Sequence, residues 1–132
     1  MLALITGGSG FVGKYLASHL TDCGDHVVTT DIADGGPDLL DQAAVEELLI
    51  SVRPEVVYHL AGQADVGASW NNPRSTFRVN AEGTLNLLSS CHQAGVKKVL
   101  TVSSAEVYGK VSHEDLPINE SLPLAPASPY AV

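Results

Sequence analysis

LALITGGSGFVG (Leu2–Gly13) is the stretch of sequence that decides the fold. A short apolar run breaks into glycines, and apolar residues then continue at helical spacing from Phe11 to Leu20. This order predicts a buried strand, a tight turn and a helix that begins near Phe11. Gly7, Gly10 and Gly13 have the spacing GxxGxxG, and a glycine at position 8 adds the spacing GxGxxG.

Both glycine spacings are typical of a turn that binds a dinucleotide. One glycine permits a positive φ where the chain leaves the strand, one leaves room for a diphosphate beside the backbone, and one lets the helix pack closely on the strand. The diphosphate would meet the free N–H groups and the positive dipole end of the helix. We therefore expect a phosphate-binding turn at Gly7, Gly10 and Gly13.

A carboxylate follows the second predicted strand, HVVTT (His26–Thr30). This residue, Asp31, lies 18 residues after Gly13, near the offset of a carboxylate that accepts from the adenosine ribose hydroxyls. A carboxylate there repels a 2′-phosphate, and no arginine follows it closely, so the sequence favours NAD over NADP. The alternative is that Asp31 only caps a loop and that the glycines form an ordinary turn.

Length and composition indicate one globular domain over residues 1–132. The chain is 45% hydrophobic and 17% charged, with a formal net charge of −8. This charge argues against a nucleic acid or an anionic membrane as the partner. The apolar runs are too short for a membrane span, and Cys23 and Cys91 are expected to be reduced thiols of a cytoplasmic protein. His92 and His113 have no partners at ligand spacing, so no metal site is predicted.

The rest of the chain predicts further strands and helices of an α/β domain. We expect a helix over Ala43–Val52 with Asp41 as N-cap, a strand over Glu55–Leu60, a helix over about Thr76–Ala94 that Gly95 ends, and a strand over Val96–Val102. Only six residues separate Asp31 from Asp38, so the third strand should be rudimentary. The prediction is a Rossmann-type doubly wound parallel sheet in three α/β/α layers, with strand order 3-2-1-4-5, incomplete at its C-terminal side.

Two segments lack a regular hydrophobic period, and two side chains each have two interpretations. Ala64–Thr76 is expected to be partly irregular, and Lys110–Pro129 is expected to be a functional or disordered loop. Trp70 either lines a ligand site or anchors its loop. His59 lies in an apolar strand and is interpreted as a hydrogen-bonded core histidine rather than a base.

Several motifs together resemble the extended short-chain dehydrogenase/reductase family that acts on nucleotide sugars. They are TGGSGFVG, DLLD, YHLAGQADV, the segment from Asn80 to Thr84, SSAEVYG and SPYAV, in this order. Within the family, the sequence of these motifs is most similar to the GDP-4-keto-6-deoxymannose reductases and next most similar to the UDP-glucose 4-epimerases.

The resemblance implies an NAD or NADP cofactor and a set of residues that contact it. These contacts would be Gly7, Gly10, Phe11 and Val12 at the diphosphate, Asp31 and Ile32 at the adenosine ribose, Asp38 and Leu39 at the adenine, Leu60, Ala61, Gly62 and Gln63 beside the nicotinamide half, and Asn80, Val102 and Tyr130.

The resemblance also implies a catalytic hydroxyl at Ser104 and a catalytic phenol at Tyr130. A phenol with a pKa of about 10 is a poor acid at neutral pH unless a nearby positive charge lowers that pKa. The family places a lysine four residues after the tyrosine, at a position beyond the 132 residues. Ser104 alternatively only bonds backbone at the end of a strand.

Glu106 matches the carboxylate that acts as the base in related dehydratases. Because the residue before it is Ala105 rather than an acid, the resemblance favours a reductase or an epimerase over a dehydratase. The expected function is therefore hydride reduction of a 4-keto sugar nucleotide. The alternatives are an NDP-sugar 4-epimerase and a non-catalytic dinucleotide-binding module.

The absent lysine leaves two interpretations of the chain itself. Either it is the N-terminal portion of a longer enzyme, or it has lost the chemistry and is itself inactive. In both cases the last strand should lie at an exposed sheet edge, which predicts self-association or a homo-oligomer.

Overall fold

A computed structural model describes every residue from Met1 to Val132. The chain forms two compact units. The first contains Met1–Gly62 and Arg78–Val102, and the second contains Gln63–Phe77 and Ser103–Val132. That the whole chain acts as a single cofactor-binding domain stays a prediction.

The elements alternate between strand and helix over the first half of the chain. In chain order they are β1 (Leu2–Thr6), α1 (Phe11–Asp22), β2 (His26–Thr30), α2 (Gln42–Val52), β3 (Val56–His59), α3 (Val66–Asn71), α4 (Pro73–Phe77), α5 (Gly83–Gln93) and β4 (Lys98–Thr101). Short 3-10 turns cover Ile32–Asp34, Ala105–Tyr108 and His113–Asp115, and a π-helical segment covers Arg78–Glu82. No helix has both the length and the apolar composition needed to cross a lipid bilayer.

The four strands form one parallel sheet in the order β2-β1-β3-β4. Leu4 of β1 is paired with Val28 on one side and Val57 on the other, and Val57 is paired with Val99. The predicted order of these four strands is confirmed. The rudimentary strand expected beyond β2 is a single 3-10 turn, because six residues are too few for a strand and its connections.

The core lies on both faces of the sheet, because successive side chains of a strand point to opposite faces. On one face, Ala3 and Ile5 pack with Leu20 of α1. The other face is covered by α2 and α5. Its buried side chains are Leu4, Val45, Leu49, Val57, Leu87 and Cys91. Helices therefore cover both faces of this sheet, and the predicted three-layer Rossmann-type fold is confirmed.

Two predicted helix boundaries are confirmed by their hydrogen bonds. The Asp41 carboxylate accepts from the backbone N–H of Ala44 at 3.1 Å, which makes it the N-cap of α2. Gly95 follows α5 with a φ of +71°, and its N–H donates to the carbonyl of His92.

The single helix predicted over Thr76–Ala94 is wrong. The segment is divided into α4, the π-helical residues and α5. In a π turn the N–H bonds five residues back instead of four, so the residues that follow are rotated from their α-helical positions. Within α5, Leu87 and Cys91 are buried, whereas Leu85 and Leu88 are exposed.

The irregular segment predicted before that helix contains two short helices. The carboxylate of Asp65 accepts from the N–H of Ala68 at 2.9 Å and so begins α3. Most side chains of α3 and α4 are exposed, so the segment lacks the apolar periodicity from which a helix is predicted. In the long segment after Lys110, only His113–Asp115 forms a helical turn.

Candidate cofactor-binding and catalytic site

The turn between β1 and α1 packs directly on the chain that leaves β3. Gly7 has a φ of +74°, and a Cβ on it would lie 2.7 Å from the nitrogen of Ala61. Its carbonyl accepts from the N–H of Gly10 at 3.1 Å, which closes the turn. A side chain at Gly7 would therefore require both a left-handed backbone conformation and movement of the Ala61 backbone.

Gly13 keeps the first turn of α1 against the same glycine turn. A Cβ on Gly13 would lie 2.8 Å from the Cα of Gly8 and would also contact the carbonyl of Gly7. Real Cβ atoms do not approach backbone so closely, so glycine is required here by packing rather than by φ. The glycine spacing predicted a positive φ after the strand and close packing of the helix, and Gly7 and Gly13 have these two properties.

The N-terminus of α1 has no side-chain cap. Its N-cap is Gly10, which has no side chain, and no acidic residue lies in the first turn. Phe11 and Val12 are exposed, and the Phe11 ring packs edge-on against Tyr15. The first N–H groups of a helix have no intrahelical partner. Together with the close backbone approaches, this arrangement fits the diphosphate of a dinucleotide.

Asp31 connects the end of β2 to the glycine turn. One carboxylate oxygen accepts from the N–H of Ala33 at 3.0 Å and caps the following 3-10 turn. The other accepts from the N–H of Ser9 at 3.2 Å. The capping role considered for Asp31 is thus present, and the same side chain also reaches the proposed phosphate turn. A carboxylate has about four acceptor positions, so capacity for a ribose hydroxyl is left.

Ser9 and Asp34 are two residues at this end of the site that sequence analysis missed. The hydroxyl of Ser9 donates to the carboxylate of Asp34, so two carboxylates converge on one serine of the glycine turn. The available signal was a serine within the glycines and an acid three residues after Asp31. Neither the spacing nor the residue types alone indicates that the two are in contact.

Asp38 and Leu39 lie in a loop between β2 and α2. Asp38 accepts from the N–H of Leu40 at 2.9 Å, and the carbonyl of Leu39 accepts from the Asn86 side chain at 2.9 Å. Ile32 is exposed in the preceding 3-10 turn. Contact of Ile32, Asp38 or Leu39 with a cofactor stays a prediction.

The chain that leaves β3 is held by the end of β1. The N–H of Leu60 donates to the carbonyl of Thr6 at 3.1 Å, and the N–H of Ala61 donates to the Thr6 hydroxyl at 3.4 Å. Beyond it, a Cβ on Gly62 would lie 3.1 Å from the side-chain oxygen of Asn80. Gly62, which the resemblance assigns with Leu60 and Ala61 to the nicotinamide half, therefore lies beside Asn80.

His59 joins β1 to α5 from inside this unit. Its Nδ1 lies 2.7 Å from the Thr6 hydroxyl and its Nε2 lies 2.8 Å from the Thr84 hydroxyl, which donates to the carbonyl of Asn80 at 2.6 Å. The imidazole is 3% exposed, and burial lowers the pKa of His59. Its interpretation as a hydrogen-bonded core histidine is confirmed. The carbonyl of His59 also accepts from the N–H of Val102 at 3.2 Å.

Ser104 and Glu106 lie together at the start of the Ala105–Tyr108 turn, in the second unit. The Ser104 hydroxyl accepts from the N–H of Glu106 at 3.2 Å, so the backbone-bonding alternative for this serine is present. The Glu106 side chain is exposed. The segment after Lys110 holds this turn, because the carbonyl of Val107 accepts from the N–H of Ala125 at 3.0 Å.

Tyr130 also lies in the second unit, in a turn that Ser128 closes. The N–H of Ala131 donates to both the carbonyl and the hydroxyl of Ser128, at 3.0 and 3.3 Å. Trp70 is an exposed residue of α3, and the Gln63 amide donates to the carbonyl of Asp65 at 2.9 Å. The catalytic roles of Ser104, Glu106 and Tyr130, and the cofactor contacts of Gln63, Val102 and Tyr130, stay predictions.

Solved structures with the same fold contain nicotinamide cofactors. UDP-glucose 4-epimerase from Thermus thermophilus, in complex with NAD, superposes with a TM-score of 0.90 at 36% identity, over 99% of this chain and 46% of that one. RMD from Pseudomonas aeruginosa, in complex with NADPH, superposes with a TM-score of 0.83 at 36% identity, over 98% of this chain and 43% of that one.

Curated relatives include both epimerases and a reductase. A UDP-glucose 4-epimerase of Azospirillum brasilense is 37% identical over 96% of this chain and 40% of its own length. A GDP-6-deoxy-D-mannose reductase of Pseudomonas aeruginosa is 38% identical over 97% of this chain and 42% of its own length. The chain thus spans less than half the length of these relatives. Since residues 3–132 match the NAD dependent epimerase/dehydratase family, the chain belongs to that family.

Proposed function

We propose that this chain is the cofactor-binding part of an NAD(P)-dependent oxidoreductase that reduces a 4-keto sugar nucleotide of the GDP-4-keto-6-deoxymannose type. The observation that carries the proposal is the glycine turn, in which Gly7 and Gly13 leave no room for a Cβ and the first N–H groups of α1 are uncapped. The similarity to a GDP-6-deoxy-D-mannose reductase supports the choice of substrate.

NAD is the proposed cofactor, and NADP is the alternative. Asp31 and Asp34 both contact Ser9, so their carboxylates lie near the expected position of the adenosine ribose. A 2′-phosphate carries about two negative charges at neutral pH, and two carboxylates nearby oppose its binding. The relatives do not decide between the two, because one solved structure holds NAD and another holds NADPH.

The residues of the chain would divide the work of a ketone reduction. The bound cofactor would supply a hydride. The glycine turn would hold the diphosphate, Asp31 would orient the adenosine ribose, and the Ser104 hydroxyl would donate to the substrate oxygen as negative charge develops on it. Tyr130 would donate a proton to that oxygen, and a positive charge nearby makes a phenol a better acid.

A UDP-glucose type 4-epimerase is the second candidate, and the similarity to epimerases of that name supports it. An epimerase uses the same cofactor-binding turn, so the first unit does not separate the two. A dehydratase is disfavoured because Ala105 stands before Glu106. A non-catalytic dinucleotide-binding module is the remaining alternative.

The proposed partners are a nucleotide sugar and a second copy of the chain. The outer edge of β4 has no neighbouring strand in the sheet, and Leu100 and Val102 are half exposed there. Unpaired strand edges favour association. A clean, stable monomer in size-exclusion chromatography would contradict this part of the proposal.

Binding is tested on the 132-residue chain by calorimetric titration with NADH and NADPH. Catalysis is tested on the product of the complete reading frame, with GDP-4-keto-6-deoxymannose and with UDP-glucose. A reductase converts only the first substrate, and an epimerase converts the second. A folded, cofactor-binding product that converts neither substrate would support the non-catalytic module.

The proposed catalytic role of the Ser104 hydroxyl can be tested against a matched control, Ser112. Ser104 and Ser112 both stand at the N-cap of a 3-10 turn. Ser104→Ala should lower kcat by about 100-fold or more, as the loss of a transition-state hydrogen bond does, while Ser112→Ala should leave kcat unchanged. Equal activities of the two variants would remove Ser104 from the mechanism.

A further inference from the structure

We propose that His59 is a positioning residue for the nicotinamide end of the dinucleotide site, which it holds through one directed chain of hydrogen bonds from Ala61 to Asn80. This inference rests on the proposed function. It concerns a buried side chain of the first unit to which sequence analysis gave only a core role.

The direction of the chain follows from its Asn80 end. The carbonyl of Asn80 can only accept, so the hydroxyl of Thr84, 2.6 Å away, uses its single proton there. Thr84 must then accept from the Nε2 of His59 at 2.8 Å. The imidazole therefore carries a proton on Nε2.

The Ala61 end leads to the same arrangement. With the proton on Nε2, the Nδ1 of a neutral imidazole is an acceptor, and the Thr6 hydroxyl donates to it across 2.7 Å. The hydroxyl oxygen of Thr6 is left to accept from the N–H of Ala61 at 3.4 Å. Every polar atom of the chain then has a partner of the correct kind. The 3% exposure of the ring agrees with a neutral group, because burial disfavours the imidazolium.

The two ends of the chain are parts of the proposed site. The Ala61 nitrogen is the atom nearest to a Cβ on Gly7, so fixing Ala61 also fixes one side of the glycine turn. The Asn80 carbonyl belongs to the π-helical segment, and its side-chain oxygen lies beside Gly62. His59 thereby links the residue after β3 to the segment before α5.

The sheet order limits the effect to one half of the ligand. In the order β2-β1-β3, Asp31 follows β2 on one side of β1, whereas Ala61 and Gly62 follow β3 on the other side. A dinucleotide whose diphosphate lies at the end of β1 has its two nucleosides on these two sides. Disturbing His59 should weaken binding of the nicotinamide side and leave binding of adenosine and diphosphate unchanged.

The experiment compares NADH with ADP, which has the adenosine and diphosphate but no nicotinamide riboside. His59→Phe fills the ring's space without hydrogen bonds, and His59→Gln keeps one donor of similar reach. His59→Phe should weaken NADH binding about tenfold because both hydrogen bonds are lost, His59→Gln should weaken it less, and ADP binding should change less than twofold in both variants. Thr84→Val should act in the same direction.

Thr76→Val is the matched control. Thr76 is a buried threonine whose hydroxyl also donates to the carbonyl four residues back, that of Asn72, at 3.1 Å. The Thr76 hydroxyl does not bond to His59, whose ring nitrogens bond to Thr6 and Thr84. The ratio of the NADH and ADP dissociation constants should stay at its wild-type value in this variant. Thermal unfolding of each variant shows that the comparison is made on folded protein.

A structural role alone and a failure of the proposed function give different results. If wild-type protein binds neither ADP nor NADH, the proposed function fails. If wild-type protein binds both ligands and the His59 and Thr84 variants weaken both equally, or neither, His59 is not a positioning residue.

The imidazole ¹⁵N spectrum of wild-type protein is a second measurement that needs no variant. A neutral ring protonated on Nε2 is expected, and a ring protonated on Nδ1 would overturn the proposal.

Discussion

Replacement of Gly7 by alanine tests the close approach on which the site is built, and Gly95→Ala is its control. The two glycines have nearly the same φ, +74° and +71°. A Cβ on Gly95 has nothing within 4 Å, whereas a Cβ on Gly7 lies 2.7 Å from the nitrogen of Ala61 and 2.8 Å from the carbonyl carbon of Leu60. The difference between the variants therefore isolates the steric contact from the backbone strain.

The expected magnitudes follow from these two terms. A left-handed L-residue costs about 1–2 kcal/mol, which both variants incur. Forcing an extra methyl against packed backbone costs about 1–3 kcal/mol more, which only Gly7→Ala incurs. We expect urea unfolding to show a free energy of unfolding lower by about 1–2 kcal/mol for Gly95→Ala and by about 2–5 kcal/mol for Gly7→Ala.

Dinucleotide affinity gives the functional measurement on the same pair. Because Ala61 must move to admit the methyl group at Gly7, we expect the dissociation constant for NADH to rise about tenfold or more in Gly7→Ala, a change of about 1.4 kcal/mol. Gly95→Ala should bind NADH as the wild-type protein does. Equal unfolding free energies and equal affinities for the two variants would refute the reasoning.

Three further predictions concern single side chains. Asp31→Asn should raise the affinity for NADPH relative to NADH by about tenfold, because one carboxylate that repels the 2′-phosphate is removed. Paired calorimetric titrations measure the ratio of the two affinities, and an unchanged ratio would argue against a contact between Asp31 and the ribose. Leu49→Ala should lower the unfolding free energy by about 2–5 kcal/mol, since Leu49 is fully buried, whereas exposed Ile50→Ala should change it by about 0.5 kcal/mol or less. A thiol reagent at pH 8 should label exposed Cys23 in the native protein and label Cys91 only after unfolding. Burial raises the Cys91 pKa to about 11, and the thiolate is the reactive form. Rapid labelling of both cysteines in the native protein would contradict this prediction.

Much of the first unit could be predicted from local sequence signals. The Leu2–Gly13 stretch combines an apolar run, glycines and a helical period, each of which restricts the backbone on its own. Asp41 and Gly95 were identified as helix ends because their side chains, or the lack of one, act within a few residues. The strand order of the observed sheet followed from the motif and its connections.

The π-helical segment and the contact between Ser9 and Asp34 are two features that the sequence did not predict. The π-helical segment Arg78–Glu82 divides the helix predicted over Thr76–Ala94, and no period in the sequence predicts it. The pairing of Ser9 with Asp34 joins two loops that only the parallel pairing of β1 with β2 brings together. Local propensity carries no information about such pairs.

Calorimetric titration of the folded chain with NADH and with NADPH tests the central claim most directly. If the backbone amides at the start of α1 hold a diphosphate, heat is released in a saturable curve with one site per chain, and NADH binds more tightly than NADPH. Absence of heat with both nucleotides, in protein whose unfolding is cooperative, would contradict the account from the glycine turn onward.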